Sequence, residues 1–337
     1  MPRMQNVAGK NAYAPLFNNP KTMKKRIITG VCVALFWIVL LAWAPTWCMF
    51  PVLLAVTLAC VWEYCAMVKR GGMEVSRNLL MAAGAMWLSA CYVMPHWLPD
   101  VFQTPWIKQY PRWFSQQILV LCDNNRFPLV EALLVAGLFA LFCRVLFDPG
   151  VRRPFEMLGT TVLGFLYIPF MLGFFIRLAQ LSTAPSAPLE ITRMGILLAA
   201  YVALVVKAGD CGAYAAGMAF GKRKMFPRVS PKKSWVGLLG GLALSTYVSM
   251  ACVWLAKNGW VNCVLLREFQ MCEAAIVGFT LCAIGVIGDL VESMLKRATN
   301  TKDSGGMFPG MGGLLDVFDS LIFTVPAFYF YLLWMYA

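Results

Sequence analysis

The chain of 337 residues contains one histidine, His96, and no two cysteines in a CxxC spacing. An isolated histidine excludes a His-based catalytic triad, a histidine-rich zinc site and a histidine phosphorelay. Most of the 12 cysteines lie within apolar runs, where cysteine behaves as a small hydrophobic residue. The sequence therefore predicts neither a disulfide framework nor a zinc cluster, and acid–base chemistry falls to carboxylates, lysines or water.

Charged residues are also scarce, at 13% of the chain against 60% hydrophobic residues, and the mean hydropathy is +0.67. Uncharged apolar runs of about 20 residues have the length of transmembrane helices. The sequence contains nine such runs, at 27–44, 50–68, 78–95, 128–147, 157–181, 194–218, 237–257, 272–291 and 314–336. This pattern predicts an all-α, polytopic integral membrane protein with about nine transmembrane helices.

One membrane domain is the simplest organisation for this pattern. We expect a basic cytoplasmic arm at 1–26, N-terminal transmembrane helices at 27–150, and a catalytic transmembrane region at 151–337, because most of the distinctive polar residues follow residue 200. The predicted outer segment 96–127 is rich in Trp, Pro and Phe, which favour the membrane interface.

Acidic residues number 16 against 29 Lys and Arg, which gives a formal net charge of +13. If the N-terminus is cytoplasmic, most of the basic residues fall in inner segments, as the positive-inside rule requires. Nucleic acid is the rival partner for a basic chain, but the charge is spread over membrane-proximal loops without a nucleic-acid-binding motif. The charge pattern favours the lipid bilayer, with its anionic head groups, over nucleic acid.

The basic loop at 219–236 contains six cations and no acid. An ordinary positive-inside anchor would have this composition. However, Ser230, Lys232, Lys233 and Ser234 combine hydroxyl and ammonium groups with tight turns, as a polyphosphate site requires, and Lys222 follows a glycine in the same loop. We therefore expect Lys232 and Lys233 to contact phosphate.

A stretch of about thirty residues near the C-terminus combines Asp289, Asp316 and Asp319 with basic residues and glycines. Carboxylates close to hydrocarbon are costly and are retained mainly where they bind something. Paired acids suit a hard cation such as Mg²⁺, and glycine-rich backbone, as at Gly312 and Gly313, can surround an anion. An alternative is that Asp316 and Asp319 only stabilise a helix N-terminus.

The predicted sixth span carries Lys207, Asp210 and Tyr214 at i, i+3 and i+7, on one helix face. A Lys–Asp pair that neutralises itself would also explain two of these residues. Stabilisation of a helix N-terminus would account for Asp316 and Asp319. It does not explain why Asp210 and Asp289, on two other predicted spans, are expected at the same membrane depth. Four acids converging on one side predict a site for one or two Mg²⁺ ions that bridge substrate phosphates.

These segments together resemble the signature of the phosphatidate cytidylyltransferases, also called CDP-diacylglycerol synthases. The similarity covers about residues 155–325 strongly and the Trp62–Glu63–Tyr64 region weakly. The motifs that carry it are Gly288–Asp289–Leu–x–Glu292–Ser293, Ser293–x–x–Lys296–Arg297, Lys302–Asp303, Pro309–Gly310–x–Gly312–Gly313, Asp316–x–x–Asp319–Ser320, Asp210–x₃–Tyr214–x₂–Gly217–x₂–Phe220–Gly221–Lys222, and Ser230–Pro231–Lys232–Lys233–Ser234–Trp235–x–Gly237. The sequence departs from the family pattern at Met311, Val317 and Val236, where the family usually has His, Arg and Glu.

The resemblance implies that phosphatidic acid attacks CTP to give CDP-diacylglycerol and pyrophosphate, on the cytoplasmic side of a bacterial-type inner membrane. It implies Asp289 as the principal metal ligand, with Asp316, Asp319 and Asp210 as further ligands. The implied catalytic residues are Asp289, Lys296, Arg297 and Lys302, and the implied substrate-binding residues are Tyr214, Lys222, Ser230, Lys232, Lys233, Ser234, Gly312 and Gly313.

Three other interpretations remain open at this point: a CTP-dependent lipid kinase of the polyprenol or phytol type, an inactive paralogue, and a membrane transporter. A transporter would be expected to show repeated halves and charges near the bilayer midplane, which the sequence does not show. A homodimer is also left open.

Overall fold

The computed structural model describes residues 48–102, 127–148, 150–181, 193–227, 229–307 and 312–336, without the side chains of 93–102, 127–132 and 336. The basic arm, the predicted first helix and most of the predicted outer segment lie outside these residues. The helices are α1 Met49–Arg70, α2 Arg77–Phe102, α3 Phe127–Phe147, α4 Pro154–Phe165, α5 Met171–Ala179, α6 Arg193–Phe220, α7 Trp235–Lys257, α8 Val264–Glu268, α9 Met271–Ala298 and α10 Leu315–Tyr336.

A π-helical turn, Leu166–Phe170, joins α4 and α5 into one element of 26 residues. Six elements in the described part of the chain are long and apolar enough to cross a membrane: α1, α4 with α5, α6, α7, α9 and α10. The prediction of an all-α membrane protein is thus confirmed. The total of nine spans and the side on which the N-terminus lies remain predictions.

Small residues allow α6 and α7 to pack at very short distance. A Cβ atom placed on Gly212 would lie only 2.6 Å from the carbonyl oxygen of Gly240, and one on Gly241 would lie 2.8 Å from that of Gly209. Glycine is required at these contacts because any side chain would push the two backbones apart. This packing fixes the position of α6, which carries Lys207 and Asp210, against α7.

Serines fasten α7 to α9 within the apolar region. The Ser245 hydroxyl donates a hydrogen bond to the carbonyl of Gly278 over 2.8 Å, and the Ser249 hydroxyl donates to that of Ala274 over 2.5 Å. Because hydrocarbon offers no alternative partner, such bonds between helices keep the buried hydroxyl groups satisfied. They fix the position of α9, which carries Asp289.

Helix α10 is the central helix of the apolar core. Its Phe318 packs on Phe175 of α5, with ring centroids 6.3 Å apart, and Ile322 and Phe328 are almost fully buried. A Cβ atom on Gly288 of α9 would lie 2.7 Å from the carbonyl oxygen of Asp319 in α10. The close approach at this glycine brings the acids of α9 beside those of α10.

The basic loop that the sequence analysis identified contains two short strands, β1 Lys224–Phe226 and β2 Ser230–Ser234. They pair antiparallel, with Lys224 opposite Ser234 and Phe226 opposite Ser230, and we call 224–234 the basic hairpin. Ser234 is buried and its hydroxyl accepts a hydrogen bond from the Gly237 amide over 3.1 Å, which caps the N-terminus of α7. The hairpin is therefore anchored directly to a transmembrane helix.

Candidate active site

Three carboxylates meet where α9 and α10 approach each other. Ligand oxygens of Asp289, Glu292 and Asp319 all lie within 4.8 Å of one another, and we call these residues the acid triad. Asp289 and Glu292 share a face of α9 at i, i+3, and Asp319 reaches them from the first turns of α10. Three acids at such distances repel one another unless a positive charge lies among them.

Burial within the acid triad increases from Asp289 to Glu292. The Asp289 side chain is 34% exposed, while Asp319 is 8% exposed and Glu292 is fully buried. Oε2 of Glu292 forms an ion pair with the Lys296 ammonium, and Oε1 accepts no hydrogen bond among the described residues. A buried carboxylate with unused lone pairs is unfavourable for the protein alone and suits a hard cation with oxygen ligands.

Lys233 of the basic hairpin contacts the acid triad. Its ammonium group lies 2.8 Å from a carboxylate oxygen of Asp289 and donates a hydrogen bond to the carbonyl of Val286 over 3.1 Å. The predicted phosphate-binding lysine is thus brought to the predicted metal ligand. A cation of the type that binds phosphate and carboxylates of the type that bind a divalent cation therefore lie side by side.

Helix α6 reaches the same region through Lys207. The Lys207 ammonium lies 3.1 Å from Asp210 and donates a hydrogen bond to the Ser320 hydroxyl over 3.0 Å. Asp210 is about half exposed and lies outside the acid triad, although it interacts electrostatically with Asp319. The structure therefore brings α6 beside the other acids, as the sequence predicted, with Lys207 between Asp210 and α10.

Asp316 is engaged by its own neighbours and lies outside the acid triad. Its carboxylate accepts hydrogen bonds from the Ser304 amide over 3.1 Å, the Ser304 hydroxyl over 2.8 Å and the Gly313 amide over 2.7 Å. Lys296 completes the arrangement with an ion pair to Asp316 over 2.5 Å. These contacts hold Ser304 and Gly313 against the start of α10, and a direct contact of Asp316 with a metal remains a prediction.

Glu63 of α1 holds the start of α10. Its buried carboxylate accepts hydrogen bonds from the amides of Leu314 and Leu315, each over 2.9 Å, and from the Ser304 hydroxyl over 3.3 Å. A Cβ atom on Gly313 would lie 2.3 Å from this carboxylate, so glycine is required there for close approach. The neighbouring Gly312 has a φ of +102°, a conformation that favours glycine. Both predicted glycines therefore have a clear role in shaping this segment.

The other predicted catalytic and substrate-binding residues lie mostly at the surface. Tyr214, Lys222, Lys232, Arg297 and Lys302 are exposed, and Ser230 is partly buried. Of the departures from the family pattern, Val317 packs against the apolar core, Val236 is partly buried, and Met311 lies outside the described residues. Exposed cations at these helix ends are accessible to a ligand that arrives from solvent.

Two functional candidates, Glu292 and Glu63, were not among the predicted site residues, although spacing puts Glu292 on the same helix face as Asp289. Glu292 stands three residues after Asp289, and this spacing is a usable signal that it faces the same way. Glu63 precedes its partner Leu315 by 252 residues, and no spacing pattern connects two segments so far apart.

A family model for the cytidylyltransferase family matches residues 24–335 of this chain. The chain is similar to the phosphatidate cytidylyltransferase of Haemophilus influenzae, with 45% identity over 138 residues, which are 41% of this chain and 46% of that protein. It is similar to the Bacillus subtilis enzyme of the same name, with 32% identity over 198 residues, 58% of this chain and 66% of that protein. The Pseudomonas aeruginosa enzyme of that name shows 46% identity over 134 residues, 40% of this chain and 46% of that protein. The matches thus span less than two thirds of each relative's own length.

Proposed function

Since this chain belongs to the cytidylyltransferase family, we propose that it is a nucleotidyltransferase that makes CDP-diacylglycerol from CTP and phosphatidic acid. A phosphate oxygen of phosphatidic acid attacks the α-phosphorus of CTP and forms a new P–O bond. The bond from the α-phosphorus to the bridging oxygen breaks, and pyrophosphate leaves with that electron pair. The acid triad, with Lys233 on its exposed side, is the observation that supports this proposal most directly.

The residues present suit a divalent cation at the acid triad. We propose that Asp289, Glu292 and Asp319 hold one Mg²⁺, because their oxygens are close together and Oε1 of Glu292 accepts no hydrogen bond among the described residues. When bound, Mg²⁺ would neutralise phosphate charge and polarise the phosphoryl group. Asp210 and Asp316 are proposed as outer groups that hold Lys207 and Lys296 in place, and a second ion at either of them stays a prediction.

The reaction also requires that two polyanions, CTP and phosphatidic acid, approach each other closely. The attacking phosphate needs no strong base, because the second pKa of a phosphomonoester is about 6. This suits a chain with one histidine outside the motif region. Lys233 and Lys207 would counter the negative charge of substrates bound at the acid triad. The exposed Arg297, Lys302 and Lys222 would add positive charge at the surface.

We propose that the site faces the cytoplasm. A Cβ atom on Gly71, directly after α1, would lie 3.1 Å from the backbone of Thr299, directly after α9. The basic ends of α1 and α9, with Lys69, Arg70, Lys296 and Arg297, therefore lie at the same side of the molecule. A concentration of Lys and Arg is typical of the cytoplasmic side, and phosphatidic acid would reach the site from the inner leaflet.

The test uses purified protein in detergent with phosphatidic acid, Mg²⁺ and CTP labelled at either the α- or the γ-phosphorus. We expect the α-label in the lipid, one pyrophosphate per lipid product, and no product when the metal is chelated. Asp289→Asn should accumulate normally without turnover, whereas Glu268→Gln, at an exposed position in α8, should match the wild type. Transfer of the γ-label would identify a kinase instead, and the absence of any transfer would refute the proposal.

A further inference from the structure

Tyr167 belongs to the π-helical turn between α4 and α5, an element to which the site described above assigns no role. The turn contains Pro169, which has no backbone amide hydrogen to donate. A π-helical turn inserts an extra residue into a helix and changes the direction of the side chains around it. Such turns are rare and occur frequently at functional sites.

The hydroxyl group of Tyr167 is buried without a partner. The residue is 5% exposed, and its hydroxyl forms no hydrogen bond with any of the described residues. A buried tyrosine hydroxyl usually has a partner, because leaving it unpaired costs free energy. Phenylalanine would fill the same space without that cost, so the hydroxyl is more than a packing group.

The surroundings of this hydroxyl are the acid triad. The Tyr167 ring packs on Phe323, one helical turn beyond Asp319, with ring centroids 6.0 Å apart. The hydroxyl interacts electrostatically with Glu292 most strongly among the acids, and also with Asp319 and Asp289. Glu292 is itself buried, with Oε2 in an ion pair with Lys296 and Oε1 without a hydrogen bond among the described residues. A buried donor without a partner therefore interacts electrostatically with a buried carboxylate of which one oxygen, Oε1, has no partner among the described residues.

We propose that the Tyr167 hydroxyl donates a hydrogen bond to the Glu292 carboxylate when a divalent cation is bound at the acid triad. Tyr167 is then a positioning residue, because it fixes the orientation of a ligand without touching the reacting atoms. A carboxylate that binds an ion with one oxygen and accepts a hydrogen bond with the other cannot rotate away from the ion. This inference rests on the proposed metal site and adds to it the residue that orients its most buried ligand.

The experiment measures metal binding without substrate and without turnover. The full chain in detergent is titrated with Mn²⁺, and free Mn²⁺ is followed by electron paramagnetic resonance. Tyr167→Phe should weaken Mn²⁺ binding about 10- to 100-fold, the range for loss of a group that orients a metal ligand. The metal-free variant should unfold at the same temperature as the wild type or a higher one, because an unpaired hydroxyl has been removed.

Tyr201→Phe is the matched control, since it removes a hydroxyl that has a hydrogen-bond partner. The Tyr201 hydroxyl is paired with that of Ser249 over 2.6 Å, between α6 and α7. This variant should unfold at a lower temperature and bind Mn²⁺ as the wild type does. The two substitutions are chemically identical and should have opposite patterns of effect.

A double-mutant cycle tests whether Tyr167 acts through Glu292. In a Glu292→Gln background, Tyr167→Phe should cause no further loss of Mn²⁺ affinity, because the oriented ligand is already gone. Unchanged Mn²⁺ affinity in Tyr167→Phe, additive losses in the double variant, or failure of Tyr167→Phe to fold would each overturn the inference and leave the proposed function standing. A wild-type protein that binds no Mn²⁺ would overturn the metal site together with the inference.

Discussion

Replacing Glu63 by glutamine should release the segment that leads into α10. The Glu63 carboxylate accepts the amides of Leu314 and Leu315, each over 2.9 Å, and Leu315 is fully buried. Glutamine offers one carbonyl oxygen for these two donors and turns an NH₂ group toward the other. The variant loses one charge-assisted hydrogen bond and leaves a buried donor unpaired, which together cost about 2–4 kcal/mol.

Hydrogen exchange followed by mass spectrometry measures this effect directly. If the cost falls on local opening of the segment, exchange at the 314 and 315 amides should accelerate about 30- to 1,000-fold, since about 1.4 kcal/mol corresponds to a factor of ten. Glu268→Gln, which exchanges an exposed carboxylate for an amide in α8, should leave exchange in this segment unchanged. Equal protection in wild type and Glu63→Gln would show that Glu63 does not hold α10, and the reasoning would fail.

Three further substitutions test separate parts of the site. Gly288→Ala should abolish activity and lower the unfolding temperature, because its Cβ would meet the Asp319 carbonyl oxygen at 2.7 Å; Gly137→Ala, with open space around it, is the control. Asp316→Asn should increase proteolysis of the 301–314 segment, since it loses the Lys296 ion pair, while Mn²⁺ affinity changes less than tenfold; a larger change would make Asp316 a ligand. Lys233→Met should tighten Mn²⁺ binding and raise the KM for CTP, and unchanged values of both would contradict its placement.

Hydropathy located the six long apolar helices of the described residues, because a bilayer of fixed thickness imposes long apolar runs on every span. The predicted spans 50–68 and 237–257 correspond to helices Met49–Arg70 and Trp235–Lys257. Hydropathy could not reveal the π-helical turn inside the span predicted at 157–181, since the extra residue leaves the composition of the run unchanged. The basic hairpin was likewise predicted only as a loop, because its paired residues are polar and show no alternation.

The residue types of the candidate site were predictable from the sequence. Which of these residues lie together was less predictable. Spacing along one helix placed Asp289 and Glu292 on one face, and the expected approach of Asp319 followed from the idea that acids gather around a cation. Which acids meet depends on how helices pack, and a single sequence does not contain that information. Asp316 is only three residues from Asp319, yet its contacts are with Ser304, Gly313 and Lys296.

The salt bridge between Lys233 and Asp289 has a consequence for the order of events. A divalent ion arriving at Asp289 would compete with the ammonium group for the same carboxylate, since two positive charges at about 3 Å repel strongly. We therefore expect that Lys233 would leave Asp289 when a divalent cation is held there, and that its ammonium group would then be available to contact substrate phosphate. Lys233 would be available to nucleotide phosphate only when its ion pair with Asp289 is broken, so metal binding would precede nucleotide binding.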